Sequence, residues 1–542
     1  MTPPAPRRAV ADGEAADAAS RAPRVALHYR PDRGRFGDPK PIVHEGRTHV
    51  YFQTSPRPDG FDTMRWGHVV SDDLLRWTPL PPALEPDAGG PDAYGCWTGC
   101  VIREGGRFHA FYTGVGAPDG RLQTVCRAES DDLTIWRKDP ANPLVVPGAP
   151  FARGEGAAWR DPHVRRLPGG GFEMVLTAEL DEGPAALRAC VARLVSDDLR
   201  EWRIDGVLHH PGDVHRCECP ELVPVGDRLV LLYSDYGVQA RVADAPAGGF
   251  GRPAAAQLDD FRWYAAKTAA SGARRLVFAF AFDRIAADTT AGPVATDPDR
   301  AAASPPVLGE AGPGTPEDEP DDGSPWTWGG VMAFPRELTL DARGEPALRP
   351  VPELARLRQE ALPLAPDADG ALGTWRVERT GDGVTLDGSV RSGSRGTELA
   401  FLRVARHPEQ LELAATVAWA ADGHVGLVLY ADEDVGRGYR IDLDRARGDL
   451  TLRRLIPHRN PASPILQRMP LPLDLPDRVA VRALLDGTLL ELYVADRVAF
   501  TGRLYERPRD AWWGVATRGA VRLEGVRAWR LALPDPEAAS AT

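Results

Sequence analysis

Three acidic residues at the heads of apolar runs are the first candidates for chemistry. Asp38 stands between Gly37 and Pro39 where the alternating run "PIVHEGRTHVYF" begins, Asp161 lies in "WRDP" (159–162), and Glu218 sits between Cys217 and Cys219 in "CECPEL" (217–222). Gathering carboxylates in one place raises their pKa values and costs stability, so such a set is seldom kept for packing alone. It suits cleavage of a glycosidic bond, in which one carboxylate attacks or stabilises the anomeric carbon and a second, kept protonated, donates to the leaving oxygen. Arg160 beside Asp161 would hold its neighbour ionised. Trp66, Trp97 and Tyr264 offer flat faces and walls for a sugar ring. Each acid also has a plainer role, since an Asp before Pro commonly caps a turn. What lifts them above it is their place in a repeat.

The phrase S-D-D-L-x-x-W occurs as "SDDLLRW" (71–77), "SDDLTIW" (130–136) and "SDDLREW" (196–202), a spacing that suits propeller blades with generous loops. Its Ser and Asp can accept hydrogen bonds from nearby backbone N–H groups, while Leu and Trp anchor the turn. Counting back 33, 33 and 35 residues from the three phrases reaches Asp38, Trp97 and Asp161. Residues at one phase of successive blades meet at the mouth of the central channel. Two further segments, "RCECPELVPVGDRLVLLYS" (216–234) with Glu218 at its head and "FRWYAAKTAASGARRLVFAFAF" (261–282) with Tyr264 and Lys267, complete five.

The expected architecture is therefore all-β: a five-bladed β-propeller over 25–349, a short helical linker over 350–371, and a β-sandwich over 372–536. Residues 1–24 read as a disordered leader without an apolar core, which points to a cytoplasmic location, and 286–325 as a flexible insertion too poor in large apolar residues to order itself. A formal net charge of −12 with scattered basic residues argues against nucleic acid and favours a neutral substrate. No apolar stretch is long enough to span a bilayer. The six cysteines follow no framework or zinc-like spacing, so no disulfide, metal or cofactor is expected. The sandwich is expected to buttress the propeller or to mediate a homodimer.

The blocks "RFGDPKP" (35–41), "MRWGHVVSDDLLRW" (64–77), "GCWTG" (95–99), "WRDP", "CECPEL" and "WGGVMAFPREL" (328–338) resemble, in order and spacing, those of the family 32 glycoside hydrolases, the invertases, inulinases and levanases. That resemblance implies retaining hydrolysis of β-fructofuranosides, with Asp38 as nucleophile, Glu218 as general acid/base and Asp161 as the residue holding sugar hydroxyls. It also places Gln53, Trp66, Trp97, Thr98 and Arg160 in the sugar pocket, with Gly37 and Pro39 turning Asp38 toward the channel. The first block departs from the family's Trp-Met-Asn-Asp-Pro-Asn-Gly. Gly37 replaces an Asn that bonds the fructose, and Lys40 or Arg35 is left to compensate, which implies a modified furanoside. The alternatives are a fructosyltransferase, an inverting sister furanosidase, and a carbohydrate-binding propeller without catalysis.

Overall fold

The computed structural model describes residues 25–535 apart from 56–62, 213–215, 244–248, 251–256, 285–325, 390–398, 457–464 and the single positions 370, 382, 421, 506 and 509. The expected leader and insertion lie outside the described residues. What is described is nearly all-β, with only three short 3-10 turns between strands.

Up to residue 350 the strands form five antiparallel sheets that follow one another along the chain. Their leading strands are Gly37–His44, Gly95–Glu104, Trp159–Arg166, Glu218–Val225 and Trp263–Ser271. Each packs on the next, and the fifth packs back on the first, so the five close into a ring. Beyond residue 358 the strands build an eight-stranded and a six-stranded sheet, with a shared core that includes Leu386, Leu402, Ile441, Leu452, Leu490 and Phe500. The stretch read as a helical linker is one 3-10 turn, Pro352–Leu357, followed by a strand, Arg358–Ala361, that joins the larger sheet. Its hydrogen bonds are taken by a sheet edge, which satisfies the backbone better than an isolated helix of that length.

The repeated phrase makes the same turn three times. Ser71 Oγ accepts from the amides of Asp73 and Leu74, and Asp73 Oδ1 accepts from those of Leu75 and Arg76. Ser130 and Asp132 cap the second turn in the same way, and Ser196 and Asp198 the third. Leu74, Leu133 and Leu199 all take a left-handed backbone at φ 64° to 66°.

A second repeat lies in the backbone of the leading strands. Every one of the five loses register with its neighbour near its start: between Gly37 and Pro39, Cys96 and Gly99, Glu218 and Glu221, Tyr264 and Lys267, and opposite Val175–Thr177 for the strand carrying Asp161. Four of the residues where pairing breaks, Asp38, Asp161, Cys219 and Ala265, have positive φ. Such bulges re-aim side chains at a sheet edge, and non-glycine residues hold that conformation only where surrounding packing imposes it.

The N- and C-terminal sheets are joined by buried charge. Arg336 donates to Asp259 at 2.5 Å and to Glu491 at 3.1 Å, while His28 bridges Asp486 (2.8 Å) and Glu491 (3.0 Å). Burial alone would raise both carboxyls, but His28, with Arg336 beside Glu491, more than offsets it and holds each at about 2.

Candidate active site

The bulges sort the candidate residues into two tiers. At the first unpaired position stand Asp38, Trp97, Asp161, Cys219 and Ala265; one residue earlier stand Gly37, Cys96, Arg160, Glu218 and Tyr264. Asp38, Trp97 and Asp161 thus share one phase, whereas Glu218 belongs to the preceding tier with Arg160 and Tyr264.

Those three bond to one another. Glu218 Oε1 accepts from the Arg160 guanidinium at 2.8 Å, and Oε2 from the Tyr264 hydroxyl at 2.7 Å. Arg216 adds a longer contact at 3.4 Å. Burial pushes the Glu218 carboxyl up, but Arg160, Arg216 and the Tyr264 hydroxyl outweigh it and keep the group below the usual glutamate range.

In the other tier, Thr98 Oγ1 lies 2.6 Å from Asp38 Oδ2 and 2.9 Å from the Gln53 amide. The oxygen of that amide, Gln53 Oε1, and the carboxylate are both acceptors for the single hydroxyl proton of Thr98, and Asp38 is the nearer. Asp38 Oδ1 has no hydrogen-bond partner among the described residues. Asp161 Oδ2 accepts from the amide of Cys219 at 2.9 Å and the Thr177 hydroxyl at 3.3 Å, with Arg160 Nε at 3.7 Å. Burial pushes Asp38 up to about 6 against the pull of Lys40 and Thr98, with Asp161 and Glu218 adding to the rise. The acids from the first, third and fourth sheets therefore face one another.

Two expectations change. Trp66 and Lys40 are 0% and 1% exposed, so neither presents itself to a sugar. The indole N–H of Trp66 donates to the Trp97 carbonyl at 2.8 Å, and the Lys40 ammonium lies 4.9 Å from the centre of its ring. Gly37 does not turn the chain; Asp38 itself takes the left-handed conformation, at φ 36°. What glycine provides is space. A Cβ at position 37 would lie 2.2 Å from Trp328 Cζ2 and 2.4 Å from Cη2, so the indole of Trp328 fills the place of the side chain that Gly37 lacks.

Trp97, Arg160, Glu218 and Tyr264 keep part of their surface open, while Thr98 and Gln53, also expected to line the sugar pocket, are buried, with Thr98 bonded to Asp38 and Gln53 to Thr98. Sequence reasoning missed Trp328, Arg216, Thr177 and Gln123, whose side-chain oxygen accepts from the Trp159 amide at 3.1 Å and from Arg160 at 3.4 Å. Arg216 and Trp328 lie inside blocks already singled out. Thr177 and Gln123 carry no local signal. No cluster of His, Cys, Asp and Glu suited to a metal ion occurs among the described residues.

Residues 28–289 match the model for the glycosyl hydrolases family 32 N-terminal domain, and residues 382–530 match that for the family 32 C terminal domain. The chain is 29% identical over 434 residues to the beta-fructofuranosidase, insoluble isoenzyme 7, of Oryza sativa subsp. indica, an alignment covering 71% of this chain and 63% of that one. It thus spans less than two thirds of that relative's length. It is also 25% identical to the sucrose-6-phosphate hydrolase of Escherichia coli, over 93% of this chain and 94% of that protein. In fold it resembles fructan 1-exohydrolase IIa from Cichorium intybus, with a TM-score of 0.66 at 18% identity over 94% of this chain and 98% of that one. The Bombyx mori GH32 beta-fructofuranosidase gives 0.62 at 21% over 95% and 96%.

Proposed function

The chain belongs to glycosyl hydrolase family 32, and on that premise we propose that it is a glycosidase that cleaves β-fructofuranosides with retention of configuration. The five closed sheets are the blades of a propeller, and the two C-terminal sheets are a β-sandwich that buttresses it. The observation that carries the catalytic reading is the pairing of tiers: Asp38 and Asp161 below, with Arg160, Glu218 and Tyr264 hydrogen-bonded to one another above.

In the first step an Asp38 oxygen bonds to the anomeric carbon as the bond to the leaving oxygen breaks, and Glu218 gives that oxygen its proton. In the second, Glu218 takes a proton from water, which attacks the same carbon and frees Asp38. Asp161 accepts hydrogen bonds from sugar hydroxyls. Asp38 must be an anion and Glu218 an acid, yet the resting site favours the reverse, with Asp38 near 6 and Glu218 held low. The pair therefore carries one shared proton at acid pH, and only the arrangement with that proton on Glu218 reacts. Activity is expected to fall as pH rises past about 6, where that proton is lost, and a kcat/KM profile over pH checks it.

The test is turnover of sucrose, 1-kestose, inulin and levan by the wild type and by Asp38→Asn, with the anomer of released sugar read by NMR before it equilibrates. Release of the β-anomer by the wild type, and loss of more than about 10³-fold in kcat for Asp38→Asn with binding kept, is expected for an essential nucleophile. An α-anomer product would give the inverting assignment instead, and silence on every furanoside would end the hydrolase reading.

A further inference from the structure

Below the carboxylates lies a third tier that the mechanism has not used. Two residues beyond the bulge positions 38, 161, 219 and 265 come Lys40, His163, Glu221 and Lys267, all buried. Glu221 and Lys267 are hydrogen-bonded to the sheets. Glu221 accepts from the amide and hydroxyl of Thr268 at 2.7 and 3.2 Å and lies 3.5 Å from His163, and Lys267 donates to the Pro220 carbonyl at 2.9 Å. Lys40, like Lys267, has one hydrogen bond among the described residues, to a main-chain carbonyl, but at 2.7 Å that carbonyl is the one of Asp38, the residue read above as nucleophile, and the centre of the Trp66 ring lies 4.9 Å from its ammonium.

A buried ammonium with one neutral acceptor is costly to fold. Its presence calls for another reason. We propose that Lys40 is a positioning residue for the catalytic carboxylate: it clamps the left-handed main chain of Asp38 and supplies the fixed positive charge that favours the anionic form of its side chain.

The surrounding charges fit this role. Asp38 is faced by Lys40 on its own strand, by Thr98 and Gln53, by Asp161 from the third sheet and by Glu218 from the fourth. Lys40 is faced by Asp38, by Asp161, by the Cys219 thiol and, as the opposing cation, by Lys267 from the fifth. Asp161 and Glu218 both push the Asp38 proton on; among the charged groups Lys40 is the one that pulls it off. Burial lowers Lys40 to about 7 despite Asp38, so its charge is in place throughout the acid range in which the pair holds its proton.

This inference rests on the proposed function, and the test separates the two. The full-length wild type, Lys40→Met and Lys40→Gln are compared by pH profiles of kcat/KM on whichever fructofuranoside the wild type turns over, with melting temperatures alongside. The limb near pH 6 is expected to move upward in both variants, and kcat/KM at the optimum to fall about tenfold for each unit of that movement, because the proton passes from Glu218 to Asp38 in the same proportion. KM should stay within about threefold of wild type. An unmoved limb, a loss confined to KM, or failure of both variants to fold would overturn the proposal. A wild type inactive on all furanosides would instead sink the fructofuranosidase reading.

Discussion

Replacing Gly37 by Ala adds one methyl group and asks whether Trp328 fills the space above the first leading strand. The new Cβ would stand 2.2, 2.4 and 3.0 Å from three atoms of the indole, against about 3.5–4.0 Å for carbons in comfortable contact. The ring must therefore retreat by more than about 1 Å. It is not free to do so at no cost. Its main-chain carbonyl accepts from Arg35 at 2.9 Å, its strand is bridged to Phe36 through Gly330, and Phe280 lies 6.0 Å away centre to centre. Overpacking of this kind costs about 1–3 kcal/mol. Because the displaced ring packs on Gly37, the residue next to Asp38, the same change should lower kcat/KM. The assay is a double-mutant cycle with Trp328→Ala, read both in urea unfolding and in kcat/KM. In Gly37→Ala/Trp328→Ala the clash is gone, so the coupling should offset most of the cost of the Gly37 substitution, about 1–3 kcal/mol. Additivity within about 0.4 kcal/mol, or a Gly37→Ala protein as stable and active as the wild type, would refute the packing argument.

Three further outcomes follow from the same contacts. His28→Leu leaves Asp486 and Glu491 buried without their shared partner and should cost about 3–5 kcal/mol near pH 5.5, measured by denaturant unfolding. Both carboxyls are held at about 2, so their contribution is complete above the ordinary carboxylate range and is lost as pH falls toward 2; the raised His28 contributes fully below about 6.5 and loses its share as pH climbs past its folded value. A stability profile of His28→Leu as curved as that of the wild type between pH 2 and 8 would count against this account. Asp73→Ala removes the acceptor for two amides in the first repeated turn and should lower stability by about 1 kcal/mol with kcat/KM unchanged. Tyr264→Phe removes a hydrogen bond from Glu218 that favours its ionised form, so the fraction of shared proton on Glu218 should rise; a fall in the Glu218 pKa, followed by carboxyl NMR, would contradict the geometry.

Much of this site was legible because the repeat is written twice, once in side chains and once in spacing. The S-D-D-L phrase fixes the phase of the first three sheets, and the bulges put Asp38, Trp97 and Asp161 where counting back from it places them. The fourth sheet has no such phrase, so nothing in the chain shows that Glu218 lies one residue out of phase with the other acids. Trp328 was unreadable for a different reason: it reaches Gly37 from 291 positions along the chain, across a stretch without strand-like pattern. Lys40 reads in the sequence as a group that reaches a sugar, because the spacing alone does not say which way a lysine after a bulge points; its burial settles that.

The phase difference has a chemical consequence. The bulges set out three successive tiers whose side chains differ in charge and exposure: Arg160 and Glu218 partly open, Asp38 and Asp161 buried one residue on from the start of each break, and Lys40 and Lys267 buried two residues further along. Had Glu218 shared the phase of Asp38, it would have lost the Arg160 and Tyr264 contacts that come from its own tier. Set one step apart, one carboxyl answers to the guanidinium beside it and the other to the ammonium below, so the proton's place between them depends on two separate cations. On the proposed mechanism, a sugar engaging Arg160 would weaken its hold on Glu218 without touching Lys40, and that would move the shared proton toward the proposed donor.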